Sequence, residues 1–479
     1  MIKKNDEFEI LITDMSDDGA GIGKTDGFTW FVKDTVIGDK VVAGAMKLKK
    51  SYGFARLVRI LEPSPKRIDP ACPISRSCGG CQLQQLEYSA QLAFKEDKVR
   101  NDILRIGGFD NSDVDPIFEH IVGMDIPFRY RNKAVYPIRR AKDGRIISGF
   151  FAGRTHSIIE CEDCQLGFED NRIVLDTVIA FMEQHDIEPY DEGSHQGVVR
   201  HVLIRKGYYT GELMVCLIIN ASKLKDAEVL CAELKEKLPE LKSFTININR
   251  ERTNVIMGDK LVNVYGPGYI EDIIHEADGR AGVKFRISPY SFFQVNSLQT
   301  EKLYGTALEF AGLSGSEKVW DLYCGVGTIS LFLARHAAKV YGVEIIPAAI
   351  DNARENAAAN NIGNAEFYVG KAEEVLPDRY AKEYSKTHEN IDLIVVDPPR
   401  KGCDENCLRT MVSIAPKRVV YVSCDPATLS RDLKYLCQNG YKLERIRPVD
   451  MFPQTVHVET VCQLVLRKPA VHINIDVDV

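Results

Sequence analysis

From about Phe285 onward, the sequence alternates short apolar runs with segments long enough to form helices. This alternation predicts βα units, and runs that are apolar along their whole length are typical of parallel strands covered on both faces. We therefore expect a doubly wound, mostly parallel sheet whose ligands bind beyond the carboxyl ends of the strands. The five predicted strands are Val319–Tyr323, Lys339–Glu344, Ala365–Val369, Ile391–Val396 and Arg418–Ser423.

Residues 3 to 62 consist of short β-rich runs separated by glycine-containing turns, which predicts a small OB-like β-barrel. Between Lys40 and Pro70, eight lysine and arginine residues are accompanied by only two acidic residues. This local positive charge favours a surface that contacts the phosphates of RNA. The two prolines of Glu62-Pro-Ser-Pro-Lys66 indicate a stiff linker after the barrel.

The middle of the chain is predicted to be a mixed α+β domain. Apolar residues at helical spacing predict a helix over residues 86–106, and strands dominate from about residue 128 to 262. The stretch 128–154 carries eight basic residues and one acidic residue, with five aromatic residues among them. Such a mixture is typical of surfaces that bind unpaired RNA bases. The chain is thus a multidomain α/β protein with predicted domains 1–64, 65–284 and 285–479.

The composition excludes several classes of protein. The chain has 479 residues, of which 45% are hydrophobic and 27% charged, as in soluble globular proteins. Its formal net charge is −7, so any contact with nucleic acid must be local. The N-terminus lacks an apolar signal region, and no apolar run approaches the roughly 20 residues of a membrane span. The 13 cysteines do not suit a disulfide scaffold, so we expect a cytoplasmic enzyme without a membrane partner.

Acidic residues and glycines lie at the predicted ligand edge of the sheet. The first strand continues into Asp321-Leu-Tyr-Cys-Gly325-Val-Gly327, and the second ends at Glu344, where a carboxylate can bind ribose hydroxyls. The loop lacks the third glycine of nicotinamide-binding loops and resembles instead the loop of S-adenosylmethionine (SAM) methyltransferases. The fourth strand ends in Asp397-Pro-Pro, whose prolines stop the strand and leave Asp397 at the same edge.

Cys424 follows the fifth strand and is the predicted nucleophile. The next residues, Asp425 and Pro426, suit the N-cap and the first position of a helix. The positive end of this helix, together with Arg431, is expected to lower the pKa of the Cys424 thiol and to favour the nucleophilic thiolate.

A nucleophile beside a methyl donor is useful when the acceptor atom is not itself nucleophilic, as with C5 of uracil. Attack of a thiolate on C6 makes an enolate whose C5 accepts the methyl group, after which a base must remove the C5 proton. The last strand opens with Thr455-Val-His457-Val-Glu459, and either Glu459 or His457 could be that base. Partial burial of a carboxylate there would raise its pKa towards neutral pH.

Five further cysteines form a separate group. Cys72, Cys78 and Cys81 lie within ten positions, and Cys161 and Cys164 follow in the central domain. Four thiolates can hold zinc or an iron–sulfur cluster, and the spacing alone does not distinguish the two.

Taken together, these motifs resemble the RNA uracil-5-methyltransferases, specifically the iron–sulfur branch that modifies large-subunit ribosomal RNA. The likeness covers nearly the whole chain, apart from residues 471–479. It implies that the barrel is a TRAM domain and that the C-terminal domain is a class I, Rossmann-like SAM methyltransferase. The segments that carry it are Ser288–Asn296, Asp321–Thr328, Ser423–Asp432 and Met451–Thr460.

The resemblance also implies roles for individual residues. It makes Cys424 the nucleophile and assigns the base to Glu459 over His457. Two residues depart from the family pattern, because Asp425 stands where asparagine is usual and Gln454 where histidine is common. The implied contacts to SAM are Gln294, Tyr323, Glu344 and Asp397.

For the clustered cysteines, the resemblance favours a 4Fe-4S cluster held by Cys72, Cys78, Cys81 and Cys164, with Cys161 as a spare candidate. The implied substrate is a uridine of 23S ribosomal RNA, with no DNA partner, and the implied protein is a monomer. One alternative is a transfer-RNA uridine methyltransferase, a branch that typically lacks the cysteine cluster. The others are a noncatalytic RNA-binding assembly factor and a redox enzyme, although the sequence has no flavin or nicotinamide motif.

Overall fold

The structure is a computed structural model that describes residues 2–153, 155, 157–276, 281–387 and 391–467, without the side chains of 383–387. Arg154 of the predicted basic stretch and the tail 471–479 lie outside the described residues. The described residues form a closed barrel, two seven-stranded sheets and a two-stranded sheet. No helix in this part of the chain has both the length and the apolar character needed to cross a membrane.

The N-terminal barrel confirms the predicted OB-like domain. Its strand order is β1-β2-β3-β5-β4, and all pairs are antiparallel except β3 with β5. Trp30, 1% exposed, fills the centre, because alternate residues of each strand point inwards. The strands are β1 (Glu7–Met15), β2 (Gly21–Thr25), β3 (Phe28–Lys33), β4 (Lys40–Leu48) and β5 (Tyr52–Glu62).

Two helices, α1 (Tyr88–Arg105) and α2 (Asn111–Val114), follow the barrel. The longer one agrees with the helix predicted over residues 86–106. Its buried residues Val99 and Ile103 share a hydrophobic core with Tyr421 and Leu433 of the C-terminal domain. The helix that the sequence assigned to the central domain therefore packs on the C-terminal sheet.

The central domain is a seven-stranded sheet with helices packed on one face. Its order is β12-β11-β10-β9-β6-β7-β8, and only β10 and β11 are parallel. Phe181, Leu230 and Phe244 belong to the core between the helices and the sheet. The elements are β6 (Lys133–Arg140), β7 (Ile146–Phe151), β8 (Ile158–Glu160), α3 (Asp170–Gln184), β9 (Val199–Lys206), β10 (Leu213–Ile219), α4 (Ala227–Lys237), β11 (Leu241–Ile248) and β12 (Lys260–Tyr265).

A two-stranded antiparallel sheet, β13 (Ile270–Ile274) and β14 (Val283–Ile287), comes next. Phe285 of β14 packs with Phe310 and Phe332 in the core of the C-terminal domain. The two strands thus join that core and span the boundary predicted between residues 284 and 285.

The C-terminal domain confirms the predicted doubly wound sheet. Its order is β17-β16-β15-β18-β19-β21-β20, with β15 to β19 parallel and β21 antiparallel to both of its neighbours. The strand order reverses between β15 and β18, the place where such sheets bind ligands. The elements are α5 (Ser297–Ala311), β15 (Lys318–Leu322), α6 (Thr328–Ala334), β16 (Lys339–Glu344), α7 (Pro347–Ala359), β17 (Ala365–Val369), α8 (Ala372–Thr387), β18 (Leu393–Val396), α9 (Glu405–Ile414), β19 (Arg418–Ser423), α10 (Pro426–Gln438), β20 (Tyr441–Val449) and β21 (Glu459–Leu466).

Candidate active site

The ligand edge of the C-terminal sheet carries the predicted nucleophile and the predicted base. Ser423, the last residue of β19, lies opposite Thr460 of the antiparallel β21. One residue beyond this pair on the two strands are Cys424 and Glu459. Asp397 directly follows the neighbouring strand β18, so the three side chains meet at one edge.

The loop after β15 forms an open turn beside Glu344. Tyr323, Gly325 and Gly327 have φ angles of 71°, 55° and 82°, in the left-handed region that favours glycine. The Gly325 N–H donates to Oε2 of Glu344 at 3.3 Å. A Cβ added at Gly325 would meet no atom within 4 Å, so the backbone faces open space next to this carboxylate. The arrangement suits a ligand that approaches the backbone closely.

Asp321 is a buried carboxyl beneath this loop. It is 1% exposed, and its Oδ2 accepts a hydrogen bond from Ser330 Oγ at 2.5 Å. Its Oδ1 has no hydrogen-bond partner among the described residues. Burial, reinforced by the charge of Asp397, raises the pKa of Asp321 to about 7. In the sequence, Asp321 stands out only as part of the loop motif, and the fold shows that it is buried.

The helix start after Cys424 matches the prediction. Asp425 is the N-cap of α10 and accepts a hydrogen bond from the Thr428 N–H at 2.9 Å. Pro426 is the first helical residue. The aspartate that replaces the usual asparagine of the family therefore still caps the helix.

The prediction that this helix lowers the pKa of the Cys424 thiol is wrong. Burial, followed by the nearby charges of Glu459 and Asp397, raises that pKa to about 12. The cation that opposes this effect is Arg400, three residues after Asp397. Burial disfavours the charged thiolate, and the two carboxylates that the fold brings close disfavour it further.

Glu459 has the environment of a buried base. It is 3% exposed, and its Oε2 accepts no hydrogen bond from any described residue. Burial and then the charge of Asp397 raise the pKa of Glu459 well above its usual value, against the opposing effect of Arg400. In contrast, burial and the charge of Arg400 lower the pKa of His457 to about 4. Because a higher pKa makes a stronger base, the structure favours Glu459 over His457.

The loop 450–455, which leads to Glu459, is held by buried groups. Lys95 Nζ on α1 forms an ion pair with Oδ1 of Asp450 at 2.5 Å, and the Tyr88 hydroxyl donates to its Oδ2 at 2.8 Å. Gln299 Nε2 donates to the Asp450 carbonyl at 3.0 Å, and Asn296 Nδ2 donates to the Met451 carbonyl at 3.1 Å. The loop is therefore fixed from both α1 and α5.

Gln454 ties the same loop to the cysteine-containing segment. The backbone N–H groups of Gln82 and Leu83 donate to the Gln454 carbonyl at 3.1 and 3.0 Å. The Gln454 side-chain Oε1 accepts a hydrogen bond from Gln91 Nε2 at 3.0 Å, and the backbone N–H of Gln454 donates to Gln91 Oε1 at 3.1 Å. The glutamine that departs from the family pattern thus has a reciprocal amide partner on α1.

The predicted cofactor residue Gln294 lies in a segment held by the central sheet. Gln294 is 6% exposed, and its carbonyl accepts a hydrogen bond from Asn132 Nδ2 at 2.9 Å. Arg205 donates to the carbonyl of Ser291 in the same segment. Tyr323, another of the four predicted contacts, has its hydroxyl next to the thiol of Cys407, at the start of α9. The segment that contains Gln294 is thus held by the central sheet, whereas the glycine loop lies next to α9.

The clustered cysteines converge from two parts of the chain. Cys78 forms an isolated β-bridge with Ala152, next to β7. Cys81 and Cys164 pack together around Tyr130. The charge of Cys164 acts, after burial, to raise the pKa of Cys72, Cys78 and Cys81, and the thiols of Cys161 and Cys164 are hydrogen-bonded to each other.

The predicted metal cluster is not confirmed by this geometry. Among the described side chains, no three His, Cys, Asp or Glu residues are grouped in a way that could hold a metal ion. The donor set itself, several thiols from converging segments, suits zinc or an iron–sulfur cluster.

The basic stretch 128–154 does not match the RNA-binding surface that was expected there. Its aromatic residues Tyr130 and Tyr136 are each only 1% exposed, so they cannot stack on bases. Carboxylates also pair with four of its seven described basic residues and neutralise them. These ion pairs are Arg129–Asp163, Arg139–Glu192, Arg140–Glu188 and Arg145–Glu160.

The barrel keeps more of its predicted positive charge. Arg67 pairs with the buried Asp39, and Lys40 pairs with Glu62. The remaining basic residues have no acidic partner within the described chain and are exposed. They are Lys47, Lys49, Lys50, Arg56, Arg59 and Lys66.

Two residues near the reacting groups were missed by sequence analysis. Tyr304 of α5 is 2% exposed, and its hydroxyl donates to Thr328 Oγ1 at 2.9 Å. Burial and the charges of Asp397, Asp321 and Glu459 raise its pKa, so its ring lies among the carboxyls of the site. Arg400 is the other, and its position three residues after Asp397 was the available signal.

Comparison with known proteins relates this chain to RNA methyltransferases. The family profile described as tRNA (uracil-5-)-methyltransferase matches residues 130–468, and the TRAM domain profile matches residues 3–58. An uncharacterized RNA methyltransferase of Halalkalibacterium halodurans is 46% identical over 97% of this chain and 98% of its own length. Another, from Clostridium acetobutylicum, is 45% identical over 96% of this chain and 97% of its own length.

A solved structure resembles the whole chain as well. The Pyrococcus abyssi tRNA (uracil-54, C5)-methyltransferase, in complex with S-adenosyl-L-homocysteine, superposes with a TM-score of 0.74 and 28% identity. The superposition covers 96% of this chain and 100% of that one. Sequence profile, full-length relatives and fold agree with one another. The chain belongs to the tRNA (uracil-5-)-methyltransferase family of SAM-dependent RNA methyltransferases and carries an N-terminal TRAM domain.

Proposed function

We propose that this enzyme methylates C5 of a uridine in 23S ribosomal RNA through a covalent adduct between Cys424 and C6 of the uracil. The observation that carries the proposal is the position of Cys424 beside Glu459 at the ligand edge of the sheet. Methyl transfer to C5 needs a nucleophile for C6 and a base for the C5 proton, and these two side chains can supply them.

In the proposed reaction, the Cys424 thiolate attacks C6, and the electrons of the C5–C6 double bond form an enolate. SAM, when bound, would supply the methyl group that C5 accepts and would leave as S-adenosyl-L-homocysteine. Glu459 then takes the proton from C5, the double bond re-forms, and the thiolate leaves C6. Because burial and Asp397 raise its pKa, Glu459 is a strong acceptor for this proton.

Cys424 must lose its proton before the attack, and the charges around it control that step. Glu459 and Asp397 oppose formation of the thiolate, whereas Arg400 favours it. Since burial raises the pKa of Asp397 to about 7, this carboxyl is partly protonated at neutral pH. Protonation of Asp397 removes one of the two negative charges that oppose formation of the Cys424 thiolate.

We assign the SAM pocket to Gln294, Tyr323, Glu344 and Asp397. Glu344 supports this assignment best, because its two oxygens accept hydrogen bonds from the N–H groups of Gly325 and Ile346 at 3.3 and 3.0 Å. These bonds fix the orientation of a carboxyl group that still has capacity to accept hydrogen bonds from ribose hydroxyls. The open space beside Gly325 leaves room for the cofactor.

The cysteine group supports the ribosomal target, since it is the feature in which this chain resembles the branch that acts on 23S RNA. Transfer RNA is the second candidate, because the similar P. abyssi structure is that of a tRNA methyltransferase. Mass spectrometric mapping of 5-methyluridine in both RNAs, from cells lacking this protein, tests the choice. We expect loss at a 23S position, restored by the wild type and not by Cys424→Ala. Loss from tRNA alone would move the assignment to tRNA.

We also propose that Cys72, Cys78, Cys81 and Cys164 hold a 4Fe-4S cluster. Cys72, Cys78 and Cys164 all lie close enough to Cys81 to act on its pKa, and Cys81 and Cys164 pack in the cluster of Tyr130. This convergence supports a structural role, and the methylation chemistry needs no electron transfer. Iron and acid-labile sulfide measured after anaerobic purification test this. Cys164→Ser is expected to lose iron and Cys161→Ser to retain it, with Cys437→Ser as a control on α10.

A further inference from the structure

Three aromatic side chains form a contiguous patch on the N-terminal barrel. The ring centroids of Phe31 and Tyr52 are 5.7 Å apart, those of Phe31 and Phe54 are 5.7 Å apart, and those of Tyr52 and Phe54 are 5.6 Å apart. We call Phe31, Tyr52 and Phe54 the aromatic platform. Each ring therefore contacts the other two.

The platform lies on the outer surface of the barrel. Trp30 and Val32, the neighbours of Phe31 on β3, are 1% and 0% exposed and point into the core, so Phe31 points outwards. Phe54 lies opposite Phe31 in the parallel β3–β5 pair, and Tyr52 on the same face is 36% exposed. The barrel core is filled without these rings.

Cations surround the platform. Lys47 of β4 lies opposite Phe54, and Lys33 of β3 lies opposite Arg56, two residues after Phe54 on the same face. All three are exposed and have no acidic partner within the described residues. Like charges gathered in this way repel one another, so packing between the strands does not account for them. A ligand with both flat rings and negative charges would satisfy the rings and the cations together.

We propose that the aromatic platform stacks an unpaired base of the RNA substrate, with Lys47 and Arg56 holding the adjoining phosphates. Base stacking on aromatic side chains combined with cations along the backbone is how proteins bind single-stranded RNA. This inference rests on the proposed function only in requiring an RNA substrate. It depends neither on the identity of that RNA nor on the chemistry at C5.

The barrel is well placed to pass RNA to the reacting groups. Met15 and Val36 of the barrel share a small hydrophobic core with Val456, three residues before Glu459. The loop that leads to the base is therefore in direct contact with the domain that carries the platform. RNA held by the barrel is thus held by a domain that packs against the segment leading to Glu459.

The test uses the full-length protein and a single-stranded RNA of about 12 nucleotides that carries one 2-aminopurine, with the same sequence as a duplex for comparison. Binding of the wild type is expected to quench the fluorescence of the single strand, because the fluorescent base stacks on the rings. Phe54→Leu keeps an apolar side chain but removes the ring, so we expect about tenfold weaker binding of the single strand and loss of quenching. Phe54→Trp should restore both.

Leu11→Ala is the matched control, since Leu11 is 53% exposed on the same barrel and lies on a different strand from the platform. It should bind and quench like the wild type. Methylation by Phe54→Leu should show a raised KM for RNA with an unchanged kcat. Equal quenching and affinity in the wild type and Phe54→Leu would overturn the inference. If the wild type formed no 5-methyluridine yet still quenched through Phe54, the proposed function would fail and the platform would stand.

Discussion

Lys95 and Asp450 form an ion pair of 2.5 Å in which neither side chain is exposed, although 355 residues separate them in the chain. Lys95 belongs to α1, and Asp450 begins the loop that leads to Glu459. A buried charge that loses its partner is strongly destabilising, whereas an intact pair is held in one geometry. The pair therefore fixes the distance between α1 and the segment that carries the base.

Lys95→Met should destabilise the protein by about 3 to 5 kcal/mol, because it leaves the Asp450 carboxylate buried without a counter-charge. Urea unfolding followed by circular dichroism measures the change. Adding Asp450→Asn should recover much of the stability. Lys371→Met is the control, since Lys371 and Glu374 are 3.1 Å apart with side chains 54% and 65% exposed, and it should cost less than about 1 kcal/mol. Equal losses from the two lysine variants would contradict the role given to the buried pair.

Cys424→Ala should abolish methylation while leaving SAM binding intact, because the nucleophile is removed and the cofactor loop is untouched. RNA that contains 5-fluorouridine gives a direct measurement, since the fluorine prevents Glu459 from removing a C5 proton and the adduct is trapped. The wild type and Cys437→Ser should form a species that resists denaturing gel electrophoresis. A stable adduct in Cys424→Ala would assign the nucleophile elsewhere.

Glu459→Gln should slow product formation by about 10²- to 10⁴-fold, as expected for loss of a general base. The attack of Cys424 precedes the step that needs the base, so the covalent RNA complex should accumulate with unmodified RNA. Single-turnover kinetics with gel analysis separates adduct from product. If adduct and product fell together, Glu459 would be acting before the methyl transfer and its assignment as the base would be wrong.

Asp397→Asn should move the acidic limb of the pH–rate profile to lower pH. The negative charge of Asp397 disfavours ionisation of its neighbours and so raises the pKa of Glu459 and of Cys424. Removing that charge lowers both pKa values, and the ionised base and the thiolate then form at lower pH. The profile should be measured at saturating SAM, because Asp397 is also an assigned cofactor contact. An acidic limb at the wild-type position would show that Asp397 does not set these pKa values.

Lys49→Gln with Lys50→Gln should weaken RNA binding and reduce its dependence on salt. For each phosphate that the protein no longer neutralises, the slope of log affinity against log salt concentration should fall by about 0.7 to 0.9. Arg140→Gln with Arg145→Gln should leave the slope unchanged, because both arginines already pair with carboxylates. Filter binding over a range of salt concentrations compares the two double variants. Equal slopes in them would contradict the contrast between the barrel and the stretch 128–154.

The sequence was informative where the signal is local. Apolar runs and turn residues predicted the barrel and the parallel strands, because strand burial follows directly from side-chain type. The Asp425-Pro426 pair predicted the start of α10 for the same reason. The location of Cys424 at the ligand edge then followed from the order of strand and helix.

The expectations that failed depend on neighbours distant in the chain. Burial, followed by the charges of Glu459 and Asp397, which arrive on other strands, raises the pKa of Cys424, so the helix that follows the thiol is an incomplete guide. Similarly, the charge of Arg139 is cancelled by Glu192, which no local pattern pairs with it. Residue type and spacing do not predict such long-range pairs.

Strand β21 lies between β19 and β20, so β20 joins the sheet only when the final strand is inserted beside it. During synthesis, Cys424 and the glycine loop leave the ribosome before Glu459 does. A nascent chain that ends within β20 therefore contains the Cys424 thiol but lacks Glu459, the proposed base for the C5 proton. Until β21 is inserted beside β19, β20 has no place in the sheet, so catalytic turnover requires the chain through Glu459 and β21.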